Sequence, residues 1–312
     1  MSDVPEEVRR LARERERLRS ERDFAAADTI RSRIESLGYR ITDTPAGPRA
    51  EPIASNVARV RAADVERAHE GAATAEFSVH WLVEGWPEDV HRGIASFRRF
   101  AEGRSVQHVV ADSSGDPADP SAWPETAEYL PLETGTGWAE ARNAGLRRST
   151  GAIVVIVDGS VEASGNVLGP LEKALADPGV GIAGPFGLVT ADLREFRTSP
   201  GPEVDAIEGY LMAVRHEVLE LTGGFDEQFT FYRSADLEYS FRVKDRGLRA
   251  VVVEIPVERH EHRMWANTPE EERARLSKRN FNRFLDRFRG RFDLCVEAGE
   301  GYRLRHESGS DS

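Results

Sequence analysis

The feature that most constrains the fold is an apolar run at residues 152–157 that ends in an acid, Asp158. After Ala152 every residue of the run is Val or Ile, which favours a strand buried on both faces, as in a parallel sheet covered by helices. In residues 137–151, Ala139, Asn143 and Leu146 recur at helical spacing, and Gly151 can end that helix. Open α/β sheets bind ligands at the carboxyl ends of such strands, where a carboxylate needs water, a donor or a cation. The run therefore predicts a ligand site at Asp158.

Strand and helix patterns alternate along the chain from residue 76 onwards, which predicts an α/β fold with a parallel, doubly wound sheet. Residues 188–202 have no clear period and are predicted to form a loop or meandering strand near the site. Strands are predicted at 76–83, 106–112, 128–132, 180–183, 207–214 and 248–255, and helices around 90–97 and at 168–175, 217–221, 235–246 and 270–288.

The N-terminal residues 4–37 have helical periodicity with a break near Asp23, a residue that can cap a second helix. A unit this small buries little apolar surface, so it must dock on something. Residues 51–75 are rich in Ala and predict a partly helical linker. The residues beyond Ser308 are small and polar and predict a disordered tail.

Composition excludes several classes of protein. The net charge is −12, which argues against a surface that coats nucleic acid. Cys295 is the only cysteine of the sequence, so an intrachain disulfide is impossible and a cytoplasmic setting is favoured. Apolar runs fall well short of the roughly 20 residues that a membrane-spanning helix needs. We therefore expect any membrane association to be peripheral.

Four groups of motifs follow one another in residues 76–290. They are FSV at 77–79 with PEDV at 87–90; VVADSSGD at 109–116; ARNAGL at 141–146 with VD at 157–158; and EGYLMAVR at 208–215 with GGFDE at 223–227 and ADLEYSFR at 235–242. In these motifs and in their order, the stretch resembles a family 2 glycosyltransferase. The resemblance implies the GT-A type, Rossmann-like fold with a mostly parallel sheet flanked by helices.

The resemblance implies transfer of a sugar from a UDP-, GDP- or dTDP-linked donor to a hydroxyl of a glycan, a lipid-linked intermediate or a small molecule. The donor's diphosphate is usually neutralised by a divalent cation, Mn²⁺ or Mg²⁺, held on carboxylates, and a carboxylate base takes the acceptor's proton. By the same resemblance, Asp236 is the catalytic base of an inverting displacement.

The other site residues are also assigned by resemblance. Asp158 faces the diphosphate and the metal, Asp112 the nucleoside, and Arg142 and Asn143 the nucleotide side. A late histidine of the family that binds metal or phosphate matches His260 or His262, and we prefer His260. Each residue also has a structural alternative. Asp112 can cap a turn, and Arg142 and Asn143 can lie on a helix surface. Asp236 can be the N-terminal acid that the helix dipole stabilises, and the two histidines can be solvated.

The sequence departs from the family at two carboxylates. The usual Asp-x-Asp reads Asp158-Gly159-Ser160, so a hydroxyl replaces the second metal ligand, and Glu162 is a substitute if the loop turns back. The expected Glu-Asp pair before the late helix reads Ala235-Asp236. These changes keep open a second function, that of a catalytically degenerate binding or scaffolding protein.

A separate likeness covers about residues 9–49. The motifs RDFAAADTIR at 22–31, LGY at 37–39 and DTPAG at 43–47 resemble the C-terminal helical segment of cysteinyl-tRNA synthetases. Docking or self-association is the favoured role, because acids nearly match the arginines, and an RNA contact is the alternative. The predicted organisation is a helical hairpin at 1–50, a linker at 51–75, a glycosyltransferase domain at 76–290 and a tail at 291–312.

Overall fold

A computed structural model describes residues 4–44, 47–53, 57–68 and 73–297 of the chain. The turn predicted through Pro45 and Ala46 and the disordered tail predicted after Ser308 lie outside these residues.

The N-terminal hairpin comprises two helices, α1 (Glu6–Ser20) and α2 (Phe24–Ser36), and two antiparallel strands, β1 (Tyr39–Thr44) and β2 (Gly47–Pro52). As predicted, Asp23 caps α2, because its Oδ1 accepts a hydrogen bond of 3.0 Å from the amide of Ala26. The hairpin has a small core of its own, formed by Val8, Leu11, Ile30, Ile34 and Tyr39.

Residues 57–68, the second described part of the predicted linker, are held along the body of the protein. The amide of Val60 donates to the carbonyl of Pro131 at 2.9 Å. Arg147 donates to the carbonyl of Val65 at 3.0 Å and also to that of Ala62. The only helical residues in this stretch are a short 3₁₀ turn at Ala62–Asp64.

The body, residues 73–297, alternates strands and helices around one large sheet. Its strands are β3 (Ala75–Val83), β4 (Val106–Asp112), β5 (Ala127–Pro131), β6 (Gly151–Val157), β7 (Val161–Ala163), β8 (Val180–Gly184), β9 (Gly187–Val189), β10 (Arg197–Ser199), β11 (Glu203–Val204), β12 (Ala206–Ile207), β13 (Leu211–Arg215), β14 (Arg249–Val252) and β15 (Val257–Arg259). Its helices are α3 (Pro87–Arg99), α4 (Trp138–Arg148), α5 (Leu168–Leu175), α6 (His216–Thr222), α7 (Ala235–Lys244), α8 (Arg263–Asn267) and α9 (Glu270–Phe288).

The main sheet has the strand order β11-β14-β8-β13-β6-β3-β4-β5 among the described residues. The predicted α/β architecture and mostly parallel sheet are confirmed, since β3, β4, β5 and β6 run parallel and β14 runs parallel to β8. The sheet is mixed rather than uniform, since β13 lies antiparallel between β6 and β8.

Both faces of the sheet are covered by helices, so β6 is buried as its Val/Ile run predicts. On one face Phe77, Val79 and Trp81 pack with α3 and α5. On the other, Val154 and Ile156 pack with α4, α6 and α7. The carboxyl ends of β6 and β3 therefore open between these two layers, and Asp158 lies there.

Two segments differ in detail from the prediction. The single strand expected at 248–255 is two strands, β14 in the main sheet and β15 paired with β7. The stretch 188–202 includes β10, and β9, β10 and β12 form a small sheet of their own. None of the helices in the described ranges is both long and apolar enough to cross a membrane.

Candidate active site

Asp158 is held at the end of β6 by its own turn. Its Oδ1 accepts hydrogen bonds from the Ser160 amide at 2.8 Å and from the Ser160 hydroxyl at 2.5 Å. Its Oδ2 lies 3.0 Å from Nε2 of His262. Although burial opposes ionisation, His262 and Ser160 hold the pKa of the Asp158 carboxyl well below its usual range. The serine of the Asp-Gly-Ser motif therefore orients the aspartate, leaving Oδ2 to face the cleft.

Asp158 lies close to His262 and to Glu84, the residue that follows the first strand of the body. One oxygen of Glu84, one of Asp158 and one ring nitrogen of His262 lie within 4.8 Å of one another. The imidazole stacks on Tyr232, with ring centroids 4.5 Å apart. Glu84 follows β3 directly, so the cluster gathers side chains from two strand ends and from the start of α8.

Two hydrogen bonds select one tautomer of the neutral His262 ring. Its Nδ1 accepts the Trp265 amide at 3.1 Å, which requires that nitrogen to be unprotonated. Burial lowers the pKa of His262, but the carboxylates of Asp158 and Glu84 outweigh that effect and raise it. A ring with its proton on Nε2 satisfies both contacts, because it donates to Asp158 and accepts from Trp265.

A cavity of about 220 Å³ adjoins this cluster. It brings together two of the predicted acids, Asp158 and Asp236, which are far apart in the sequence. Glu208 and several aromatic and cationic side chains complete it. The lining residues are Trp138, Arg142, Asp158, Glu208, Gly209, Tyr210, Tyr232, Arg233, Asp236, Arg259, His262 and Trp265.

Asp236 stands in the first turn of α7, shortly after Ser234, whose φ of 66° places it in the left-handed region. Its Oδ2 accepts the amide of Gly209 at 2.9 Å, and its Oδ1 accepts the amide of Leu237 at 2.9 Å. Burial raises the pKa of Asp236 against these hydrogen bonds. The pKa of Glu208 is also raised by burial, which Arg259 opposes. A carboxylate with a raised pKa is suited to accept a proton.

Arg142 is a buried cation beneath the cavity rather than helix surface. Its Nη1 donates to the carbonyl of Val157 at 3.0 Å, and its guanidinium lies 5.5 Å from the centre of the Trp138 ring. This position is close enough to Asp158 and Glu84 for their charges to oppose the effect of burial on the pKa of Arg142. Arg142 therefore partly balances the acids of the site.

Asp112 and Asn143 are occupied by structural contacts. The Asp112 carboxylate accepts the Ser114 amide at 2.9 Å, the Ser114 hydroxyl, the Tyr129 hydroxyl at 2.7 Å and the Ala118 amide at 3.2 Å. Asn143 exchanges hydrogen bonds of 2.8 and 2.7 Å with the backbone of Phe225. Neither residue is part of the cavity lining within the described chain. Their nucleotide roles remain predictions without support from this geometry.

His260 and Glu162, the other two residues predicted near the metal, contact each other. Nε2 of His260 lies 2.9 Å from Oε2 of Glu162, beside the paired strands β15 and β7. Of the two candidate histidines, the structure therefore places His262 rather than His260 against Asp158. Sequence reasoning assigned no site role to Glu84, Glu208, Tyr232 or Trp265. Glu208 had a signal, because it begins the EGYLMAVR motif.

Comparison with known proteins relates the body of the chain to one family. Residues 109–235 match the family model described as "Glycosyl transferase family 2". Over these residues the chain is similar to family 2 glycosyltransferases. Its fold is GT-A: it superimposes on the crystal structure of GalNAc-T7 with UDP, GalNAc and Mn²⁺ at a TM-score of 0.54, with 14% identity over 68% of this chain and 48% of the other. A mannosyltransferase, PcManGT from Pyrobaculum calidifontis in complex with GDP-Man and Mn²⁺, is 22% identical over 61% of this chain and 59% of that chain, with a TM-score of 0.47.

The N-terminal segment has different relatives. It is 53% identical over 47 residues to cysteine–tRNA ligase 1 of Burkholderia lata, a match that covers 15% of this chain and 10% of the ligase. A second match, to the cysteine–tRNA ligase of Methanosarcina acetivorans, is 48% identical over 46 residues and covers 15% of this chain and 10% of the ligase. The chain thus spans about a tenth of these ligases and about half of the GalNAc-T7 chain.

Proposed function

We propose that the protein is an inverting glycosyltransferase that moves a sugar from a nucleotide-sugar donor to an acceptor hydroxyl by direct displacement. The observation that carries the proposal is the shared cavity: Asp158 and Asp236 line the same space of about 220 Å³. One acid would then face the departing diphosphate while the other faces the incoming hydroxyl. The cavity's aromatic rings suit the apolar faces of sugars.

Asp236 is the proposed base. Its two backbone hydrogen bonds fix the carboxylate, and burial raises its pKa, which favours proton uptake from the hydroxyl. As the hydroxyl oxygen forms its bond to the anomeric carbon, the bond from that carbon to the diphosphate oxygen breaks. The hydroxyl proton passes to Asp236, and inversion follows from attack opposite the leaving group.

Glu84, Asp158 and His262 are the proposed holders of a divalent cation. Two carboxylate oxygens and an imidazole nitrogen within 4.8 Å are a donor set that Mn²⁺ or Mg²⁺ accepts. A cation on Nε2 of His262 would leave the ring proton on Nδ1, and the hydrogen bond from the Trp265 amide to Nδ1 would be lost. When bound, the cation would neutralise the diphosphate as it leaves. GalNAc-T7, which shares the fold, was solved with UDP and Mn²⁺.

The acceptor is a glycan, a lipid-linked intermediate or a small molecule, and the donor carries UDP, GDP or dTDP. With one cysteine in the sequence, we place the reaction in the cytoplasm. Isothermal titration with UDP-, GDP- and dTDP-sugars, with and without Mn²⁺, tests the proposal. Binding of one donor class followed by release of its nucleoside diphosphate supports it, and binding of none contradicts it.

Asp-Gly-Ser in place of Asp-x-Asp favours the second candidate, a degenerate glycosyltransferase domain used as a binding or scaffolding protein. The Ser160 hydroxyl donates a hydrogen bond to Oδ1 of Asp158 rather than facing the cleft. A donor that binds without turnover, with any acceptor class, would select this candidate.

A further inference from the structure

The N-terminal hairpin contacts the body at two places, the loop that follows β4 and the region of α8 and the start of α9. The first contact joins backbone to backbone. A Cβ on Gly115 would lie 1.8 Å from the amide nitrogen of Gly38 and 2.7 Å from the carbonyl oxygen of Glu35. Real side chains do not approach that closely, so only glycine fits. The loop that follows β4 is therefore packed directly under the end of α2.

Arg59, in the linker, donates hydrogen bonds to the same loop. Nη1 of Arg59 donates to the carbonyls of Ser114 at 3.0 Å and Leu132 at 3.3 Å, and its Nη2 donates to that of Gly115 at 2.5 Å. Three carbonyls on one guanidinium fix this loop against the linker, and the glycine contact sets the end of α2 directly on the same loop.

The second contact joins the hairpin to α8 and to the first turn of α9. Nη1 of Arg33 lies 3.4 Å from Sδ of Met264, while its Nη2 donates to Glu7 within the hairpin at 3.2 Å. Nη2 of Arg10 lies 2.8 Å from Oε2 of Glu272, whose side chain is only 3% exposed. Arg33 thus lies with one end against the hairpin and the other against α8.

Helix α8 depends on such contacts for its position. It has five residues, too few to be stable alone, and its first turn is capped by the His262 ring that faces Asp158. Its own residue Arg263 pairs with Asp89 at 3.3 Å on the side of α3. Met264 takes the Arg33 contact. A shift of α8 would therefore move His262 away from the carboxylate that it contacts.

We propose that the N-terminal hairpin is a permanent positioning element of the active site, and that Arg33 is the positioning residue that holds α8, and with it His262, against Asp158. The proposal rests on the proposed function for its effect on the donor. Its structural half, the hold on α8, stands independently. Arg33 also contributes charge: burial raises the pKa of the Glu84 carboxyl, and Arg33 is among the cations that oppose that rise.

The test compares Arg33→Ala with Arg31→Ala in the full chain. Arg31 lies on the same helix but is exposed and pairs with Glu35, so it is a matched control for loss of a charge. Arg33→Lys keeps the charge and tests for rescue. Hydrogen exchange of residues 263–267 reports on α8, and titration with UDP and Mn²⁺ reports on the donor site.

We expect Arg33→Ala to speed exchange in α8 about tenfold by favouring local opening. We expect the same variant to weaken UDP binding about tenfold, because a small displacement of a ligating group is costly. Arg33→Lys should recover part of both, and Arg31→Ala should match the unaltered protein. A purely structural role would lower the melting temperature while leaving UDP affinity unchanged in the folded protein, and that result overturns the proposal.

A second variant guards against misfolding caused by Arg33→Ala. Gly115→Ala should displace the hairpin and reproduce the faster exchange in α8. Its control is Gly179→Ala just before β8, where the new Cβ would meet the Asp177 carboxylate at 3.2 Å, and this variant should leave α8 exchange unchanged.

Unchanged α8 exchange in both Arg33→Ala and Gly115→Ala overturns the proposal. So does tighter UDP binding in either variant, which would mean that the hairpin obstructs the site. If the unaltered protein binds no nucleotide, the proposed function fails, while the exchange result still decides the hold on α8.

Discussion

Oδ2 of Asp158 lies 3.0 Å from Nε2 of His262, although one follows a strand in the middle of the sheet and the other precedes a short helix near the end of the chain. The pair joins the end of β6 to the start of α8. Ser160 occupies Oδ1 of Asp158, so Oδ2 is the oxygen that contacts His262.

We predict that Asp236→Asn abolishes transfer while leaving donor binding intact. Asparagine is nearly the same size and can still accept the Gly209 amide, but it cannot take up a proton at neutral pH. General bases contribute about 10²–10⁴-fold to rates, so kcat should fall within that range or below detection. Steady-state kinetics and UDP-sugar titration measure the two effects separately. Equal turnover in variant and parent rules out Asp236 as the base.

His262→Gln should remove the Mn²⁺-dependent part of UDP binding, whereas His260→Gln should retain it. The reason is position: His262 faces Asp158, and His260 pairs with Glu162 on the surface. Losing a metal ligand, or a group that orients one, typically costs about 10–100-fold in metal affinity. Titration of both variants at several Mn²⁺ concentrations decides between the histidines. Loss in the His260 variant alone would restore that residue as the metal ligand.

Stability should fall on mild acidification because of a buried histidine in β4. Burial lowers the pKa of His108 to about 4, and its Nδ1 accepts the Trp81 indole N–H at 3.2 Å, which needs a neutral ring. In the unfolded chain the same imidazole titrates at the ordinary histidine pKa of about 6.5. The stabilising contribution is therefore fully present above that pH and is lost as the pH falls toward 4. From these two pKa values the loss between about pH 7.5 and pH 5 is about 2 kcal/mol.

His108→Gln is the matched variant for this effect, because its amide can still accept from Trp81 but does not titrate. Urea unfolding at both pH values should show a smaller acid-induced loss in the variant, by about 2 kcal/mol. An identical pH dependence in the two proteins would show that His108 does not contribute.

A buried ion pair between α7 and the small sheet should be sensitive to removal of one partner. Nζ of Lys244 donates to Asp205 Oδ1 at 2.8 Å and to the Val204 carbonyl at 3.0 Å, and both side chains of the pair are buried. Lys244→Met leaves the Asp205 charge uncompensated and should cost about 3–5 kcal/mol of unfolding free energy. Arg289→Ala, which breaks an exposed pair with Asp286, should change it by less than about 1 kcal/mol. Chemical denaturation measures both.

The sequence predicts most of the elements of this fold because its periodicities are strong. The Val/Ile run of β6, the motif helices α4 and α7, and the Asp23 cap all lie where local pattern places them. Strand direction is different, since residues 207–214 have the same extended pattern whether they run parallel or antiparallel. The antiparallel direction of β13 shows only in its pairing with β6 and β8.

The candidate site was predictable in part for a similar reason. Asp158 and Asp236 follow from family motifs, and the structure brings them to one cavity. The choice between His260 and His262 depends on how β15 pairs with β7, and that register cannot be read from two histidines separated by one residue. Glu84 was not assigned to the site because it lies between the motifs at 77–79 and 87–90 and belongs to neither. Asp112 is the opposite case. It matches a family motif, but its oxygens accept hydrogen bonds from Ser114 and Tyr129.

The antiparallel insertion of β13 has a consequence for synthesis on the ribosome. One edge of β6 pairs with β3, which is synthesised earlier. The other edge pairs with β13, residues 211–215, which are synthesised later. Until those residues emerge, the most apolar strand of the nascent protein offers open backbone groups to any other chain. The interval before β13 is made is therefore the stage at which β6 is most open to pairing with another chain.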